Sequence, residues 1–268
     1  MPSVTATARR RGLHPAFVVV CIAVGVLVAI WGALFFAAWS VHQTERSVAT
    51  YTGVDLLRID GGSGNIAVIG EDRDDVEVVT RISWGLKKPD VVRSFDGGAL
   101  KLSGGCDFLG SFGPDGCDAD FEVHVPRDLQ VDLRGGSGDV NGRGLAGRAN
   151  LGTRSGNATA VDGSGLLHVS ATSGDVVVEG FRGRDVTAEA TSGNVTVRTR
   201  SVPDRVEATA TSGDVTVVVP GSVAYYVEAD AASGGTDVAV DQSRRSKRVI
   251  RARATSGNVH VARLDDAR

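Results

Sequence analysis

Val186-Thr187-Ala188-Glu189-Ala190-Thr191-Ser192-Gly193-Asn194-Val195-Thr196-Val197 reads as strand, tight turn, strand. Before the turn, Val186, Ala188 and Ala190 alternate with Thr187, Glu189 and Thr191; after it, Val195 and Val197 flank Thr196. A period of two sends one row inward and the other outward. Glycine supplies the positive φ that such a turn uses, and Asn or Asp beside it tolerates the left-handed region and bonds local backbone.

The unit recurs. Ser-Gly-Asp/Asn stands at Ser137, Ser155, Ser173, Ser192, Ser212 and Ser256, with a degenerate Ser233-Gly234-Gly235. From serine to serine, in chain order, the steps are 18, 18, 19, 20, 21 and 23 residues. That period is too short for helical repeats and fits one coil of a β-solenoid, in which each unit buries its apolar face only against its neighbours. The fold class is therefore all-β: a single-domain solenoid of 18–23-residue coils. An earlier copy, Gly61-Gly62-Ser63-Gly64-Asn65-Ile66, follows the same grammar in a less regular section expected to cap the stack.

Down the stack, the turns form a predicted structural ladder of glycine and acid or amide: Gly64 and Asn65, Gly138 and Asp139, Gly156 and Asn157, Gly174 and Asp175, Gly193 and Asn194, Gly213 and Asp214, Gly257 and Asn258. Acid and amide alternate along most of it. Coils stacked about 4.8 Å apart would crowd an unbroken aspartate ladder, whereas interleaved amides can donate to the carboxylates on either side. A calcium ladder of G-G-x-G-x-D nonapeptides is the functional rival. The match fails, because in Gly135-Gly136-Ser137-Gly138-Asp139 the acid comes one place early. Acids two coils apart also stand about 10 Å from each other, too far to share one ion. No metal, cofactor or catalytic residue is assigned.

Composition narrows the class. The 268 residues include 35 glycines and 5% aromatics with a net charge of −3, which gives no footprint for nucleic acid. The apolar stretch Ala16 to Ala38 would span about 34 Å as a helix. Arg9, Arg10 and Arg11 precede it, so the positive-inside rule places the tail in the cytoplasm and the bulk of the chain outside. A cleaved signal peptide is the rival; its apolar region would be shorter, and Ala37-Ala38-Trp39 lacks a small-x-small exit. The organisation expected is a basic tail (1–15), a transmembrane helix (16–39), a polar stem (40–54), an extracytoplasmic domain (55–262, regular from 129) and a polar end (263–268).

Two cysteines, Cys106 and Cys117, flank a turn-rich loop in the external domain and are expected to form a disulfide, leaving Cys21 free in the span. One charged segment stands apart. Arg244, Arg245, Lys247, Arg248, Arg251 and Arg253 put six cations in ten residues at the longest insertion of the repeat, readable as a solvated loop or as a contact for an anionic polymer or membrane surface.

The basic tail, the single anchor, Gly61-Gly62-Ser63-Gly64-Asn65-Ile66 and the series Ala171-Thr172-Ser173-Gly174-Asp175-Val176, Ala190-Thr191-Ser192-Gly193-Asn194-Val195 and Ala210-Thr211-Ser212-Gly213-Asp214-Val215 resemble the bacterial putative adhesin family, a domain of unknown function. The resemblance covers residues 55 to 262 and implies a β-solenoid outside the cytoplasmic membrane with no catalytic residues to carry over. The leading expectation is a non-enzymatic envelope protein for adhesion or protein contact, with one membrane span and a protein or cell-envelope polymer as partner. The alternatives are an accessory or sensory subunit of an envelope-stress system and, third, a polysaccharide-active enzyme on a β-helix. For the last, His14, His42, His124, His168 and His260 are scattered rather than clustered.

Overall fold

The computed structural model describes residues 23–32, 43–84, 88–105 and 117–264. Residues 23–32 are helical and exposed, and the rest of the described residues are strands joined by turns and loops. Among the described residues no helix is long and apolar enough to cross a membrane. The span expected over 16–39 extends past the described helix on both sides, and Cys21, Cys106 and the loop to 116 lie outside the described residues.

The first strands in chain order are β1 (Gln43–Thr52), β2 (Leu56–Gly61), β3 (Ile66–Glu71), β4 (Asp75–Trp84), β5 (Asp90–Asp96), β6 (Ala99–Gly105) and β7 (Cys117–Pro126). The regular array follows as strand pairs: β8 (Gln130–Gly135) and β9 (Val140–Arg143), β10 (Ala149–Thr153) and β11 (Ala158–Val161), β12 (Leu167–Ser173) and β13 (Val176–Phe181), β14 (Asp185–Ser192) and β15 (Val195–Thr199), β16 (Arg205–Ser212) and β17 (Val215–Val219). Last come β18 (Tyr226–Ser233) with β19 (Thr236–Val238) and β20 (Val249–Ser256) with β21 (Val259–Arg263). Each coil gives one strand to each of two sheets, and in the array like strands pair in parallel, as in β14 with β16.

The coils do not stack in chain order at either end. The sheet orders are β1-β4-β7-β3-β9-β11-β13-β15-β17-β21-β19 and β18-β20-β16-β14-β12-β10-β8-β2-β6-β5. The β2–β3 coil thus lies inside the later β6–β7 coil. Likewise β20–β21, the last coil of the chain, is inserted between β16–β17 and β18–β19.

The segment expected as a polar stem is strand β1, paired antiparallel along its whole length with β4. Its alternation explains the difference. Ser47, Ala49 and Tyr51 are half-buried while Val48, Thr50 and Thr52 are exposed, and β4 would otherwise present an open edge. Strand β5 closes the other sheet, antiparallel to β6. The two edge strands meet across the end of the core: Tyr51 tilts against Phe95 with ring centroids 6.0 Å apart, and Arg93 donates to the hydroxyls of Ser47 and Thr80.

One continuous apolar core runs through the stack. Along one inward column of the second sheet the register reads Leu102, Ile59, Leu133, Leu151, Val169, Ala188, Ala208, Ala252. The first sheet compensates. It carries Gly142 and Ala160 where the second carries leucines, and Val197 and Val217 in the alanine coils. A Cβ on Gly142 would stand 2.8 Å from Leu151 Cδ2, so the leucine occupies the room the glycine leaves.

Candidate functional site

The Ser-Gly-Asx turns line up along one corner between the sheets. Read in space, the column is Asp120, Asn65, Asp139, Asn157, Asp175, Asn194, Asp214, Asn258, Gly235, so acid and amide alternate without a break until the terminal glycine. Each rung's side-chain oxygen accepts the backbone N–H of the next. Donors Asn65, Asn157, Asn194 and Asn258 reach carboxylates at 2.7, 2.8, 2.8 and 2.7 Å. Donors Asp139, Asp175, Asp214 and Gly235 reach amide oxygens at 3.0, 3.0, 2.9 and 3.0 Å. The bonds to carboxylates are the shorter set, as charge assistance requires.

This is not the donation expected from the alternation. Amide Nδ2 groups donate to carboxylates at Asn65 to Asp120 (3.3 Å) and Asn258 to Asp214 (3.2 Å), but the bond common to every rung is side-chain oxygen to backbone N–H. Either Asp or Asn can accept it; the alternation spaces the charges. The reason for glycine is also broader than φ. Gly193 has φ of +152°, yet the decisive contact is the neighbouring coil: its Cβ would lie 2.1 Å from the carbonyl oxygen of Gly174. Gly138 is not left-handed and meets the same obstacle, its Cβ 2.2 Å from Gly64 O. The corner admits no side chain because backbone packs on backbone.

The six cations of the 244–253 segment do not form one face. Arg244, Arg245 and Lys247 are exposed on the loop, whereas Arg251 and Arg253 belong to the inserted strand β20. There Arg251 Nε donates to Glu228 Oε2 at 2.8 Å, and Arg253 Nη2 stands 3.6 Å from the same oxygen. Arg251 is also in register with Glu207 on the other side. The hydrogen bond from Arg251 holds the Glu228 carboxyl below its ordinary range and in turn raises Arg251. Part of the basic run therefore fixes the last coil between two acidic neighbours. Beneath the loop Tyr225 is fully buried, its hydroxyl donating to Pro220 O at 2.9 Å, and burial pushes its pKa up to about 12.

Sequence reasoning missed a second feature, on the outward face of the second sheet. Here Arg134, Gly152 and Ser170 are neighbours in one column, and Asp132, Asn150 and His168 in the next. Because Gly152 has no side chain, the face sinks into a depression of about 520 Å³. Arg134, Arg154, Ser170 and Thr172 are among the residues that line it. Asp132 is only 13% exposed, bridged by Arg58 at 3.1 Å and Arg134 at 3.3 Å. A smaller depression, of about 180 Å³, continues along β10 past Asn150 and His168 to Arg148 and Asp185. The signal was readable in the repeats, since the place of Gly152 is held by Ser170 and Glu189 in the next two coils.

Residues 129–264 match the Toastrack DUF4097 family model. The chain belongs to that family. The match begins at the regular array, while the structure carries the Toastrack solenoid further, through the β2–β3 and β6–β7 coils. No curated protein matches the chain. Among solved structures, a putative adhesin from Bacteroides fragilis is similar at 12% identity, over 83% of this chain and 97% of its own, with a TM-score of 0.43. A putative cell adhesion protein from Clostridium sporogenes is similar at 11% identity, over 82% of this chain and all (100%) of its own, with a TM-score of 0.38.

Proposed function

We propose that this Toastrack protein is a non-enzymatic cell-envelope protein, anchored by residues 16–39 and presenting its solenoid outside the membrane as a contact surface. The observation that carries the reading is the form of the surface. The stacked coils expose long polar sheet faces, and the depression of about 520 Å³ on one of them is open, suited to contact along a length rather than to enclosing a substrate. Several charged side chains on those faces are engaged across coils, as Arg58 with Asp132, Arg198 with Glu179 and Arg251 with Glu228.

Chain connectivity is compatible with this topology. Only residues 40–42 separate the expected span from β1, a reach of about 14 Å at full extension. Gln43 pairs with Trp84, and Trp84 with Cys117, so on this reading the tether would join the solenoid at its β1 corner. A Cys106–Cys117 disulfide belongs to the same reading, as a crosslink in the extracytoplasmic domain.

Protease shaving of intact cells tests the topology: the β-domain is expected to be digested and the N-terminal tail protected. Mature protein beginning near Ser40, or a protected β-domain, refutes the anchor. Pull-down from detergent-solubilised membranes tests the role. Recovery of cell-wall polymer supports contact with the envelope; a stoichiometric membrane protein would move the reading to an accessory subunit.

A further inference from the structure

We propose that the trough over β10 binds a linear acidic polysaccharide, with a carboxylate of the glycan held between Arg134 and Arg154 and its hydroxyls against Asn150, His168 and Ser170. The trough follows β10 from Arg148 to Arg154, about 20 Å at the rise of a strand. Its width comes from Gly152, which stands without a side chain between Arg134 and Ser170 of the flanking coils.

The chemistry selects the ligand class. Arg148 and Arg154 are exposed, and neither side chain has a hydrogen-bond or ion-pair partner among the described residues. Arg134 shares Asp132 with Arg58, which leaves most of its planar fork free for a second carboxylate. Between these cations lie an amide, an imidazole and hydroxyls, groups that both donate and accept and so match a polyol. Asp185 at the Arg148 end is an acceptor for hydroxyl protons.

A peptide fits less well. Strand β10 is already paired on both sides, with β8 and β12, so its backbone offers no edge for an added strand, and the trough has no deep apolar pocket for a side-chain anchor. Single-stranded nucleic acid would need large aromatic platforms, and no Phe, Tyr or Trp lines the trough.

The test is titration of the detergent-solubilised full chain with oligogalacturonate, with dextran oligomers, poly(glycerol phosphate) and oligothymidylate as comparisons. Saturable binding to oligogalacturonate over dextran is expected. Arg154→Glu should weaken it at least tenfold, because that side chain is exposed and makes no contact the fold uses. Arg245→Glu, the same charge change on the distant loop, should leave it within twofold. Gly152→Leu should fill the trough and abolish binding, with an unchanged far-ultraviolet spectrum showing that the fold persists. Equal weakening by Arg154→Glu and Arg245→Glu, a preference for poly(glycerol phosphate) or oligothymidylate, or no binding at all would overturn the proposal. The inference rests on the envelope reading only for where such a glycan is met; binding is measured without the cell, so its failure and a failed topology are distinguishable.

Discussion

The two ends of the solenoid are finished differently, although each places a coil out of chain order. At the first end, β1 and β4 extend one sheet antiparallel and β5 extends the other, and Arg93, Tyr51 and Phe95 close the mouth between them. At the second end no antiparallel strand is added among the described residues. The last coil of the chain slots inside the β18–β19 coil and is locked by Arg251 against Glu228, and the Asx ladder stops at Gly235, which has no side-chain oxygen to offer a further rung. A stack of parallel coils leaves unpaired strands at its tips, a template for unwanted pairing. Here one tip is turned by antiparallel strands. The other ends its ladder on a residue that cannot accept.

If the middle of the stack is held on both sides and the far tip on one, the same glycine substitution should cost different amounts. Gly193→Val drives a Cβ into Gly174 O and is expected to destabilise the β-domain by about 4 kcal/mol. Gly234→Val meets Gly257 O at 2.0 Å in the outermost coil, which can lift away, so about half that loss is expected. Urea unfolding of both variants decides; equal losses would mean that the tip is as constrained as the centre.

Next in size is the inserted coil. Ile250 is fully buried between Val206 and Val227, and Ile250→Ala should cost about 3 kcal/mol. Hydrogen exchange should then speed up in β18 and β20 while β2 and β6 keep their protection. Uniform acceleration would show one cooperative unit instead of two independent ends.

The lock itself is pH-dependent. Glu228 is held below its ordinary value in the folded state, so its contribution is complete above the unfolded value and disappears as pH falls through the folded one. Melts from pH 7 downward through the carboxylate range should show the wild type losing more than Glu228→Gln. Identical slopes would assign the acid loss to other carboxylates.

The smallest effects belong to the ladder. Asn194→Asp places a third carboxylate between Asp175 and Asp214, two new like-charged neighbours, and should cost about 1 kcal/mol at low salt and less at high salt. Asn258→Asp adds only one such neighbour, Asp214, because Gly235 lies on the other side, and half the loss is expected. A salt-independent loss in both would show that the alternation does not exist to separate charge.

The sequence by itself determined the coil. Period-two alternation through Val186–Val197 and the Ser-Gly-Asx turn specify two strands and a corner, because inward and outward rows are local properties of a strand. It also carries the ladder residues, though in chain order the series runs Asp214, Gly235, Asn258 and breaks its alternation there. Which coil lies beside which was decided only by the tertiary structure. Successive units are nearly interchangeable in their pairing edges, so neighbours are selected by long-range terms: the charges on Arg251 and Glu228, and the volumes of Leu151 against Gly142. The same holds for the stem that became β1 and for the trough at Gly152. An edge strand needs a partner from far along the chain, and a missing side chain becomes a concavity only when the coils on either side stand up around it.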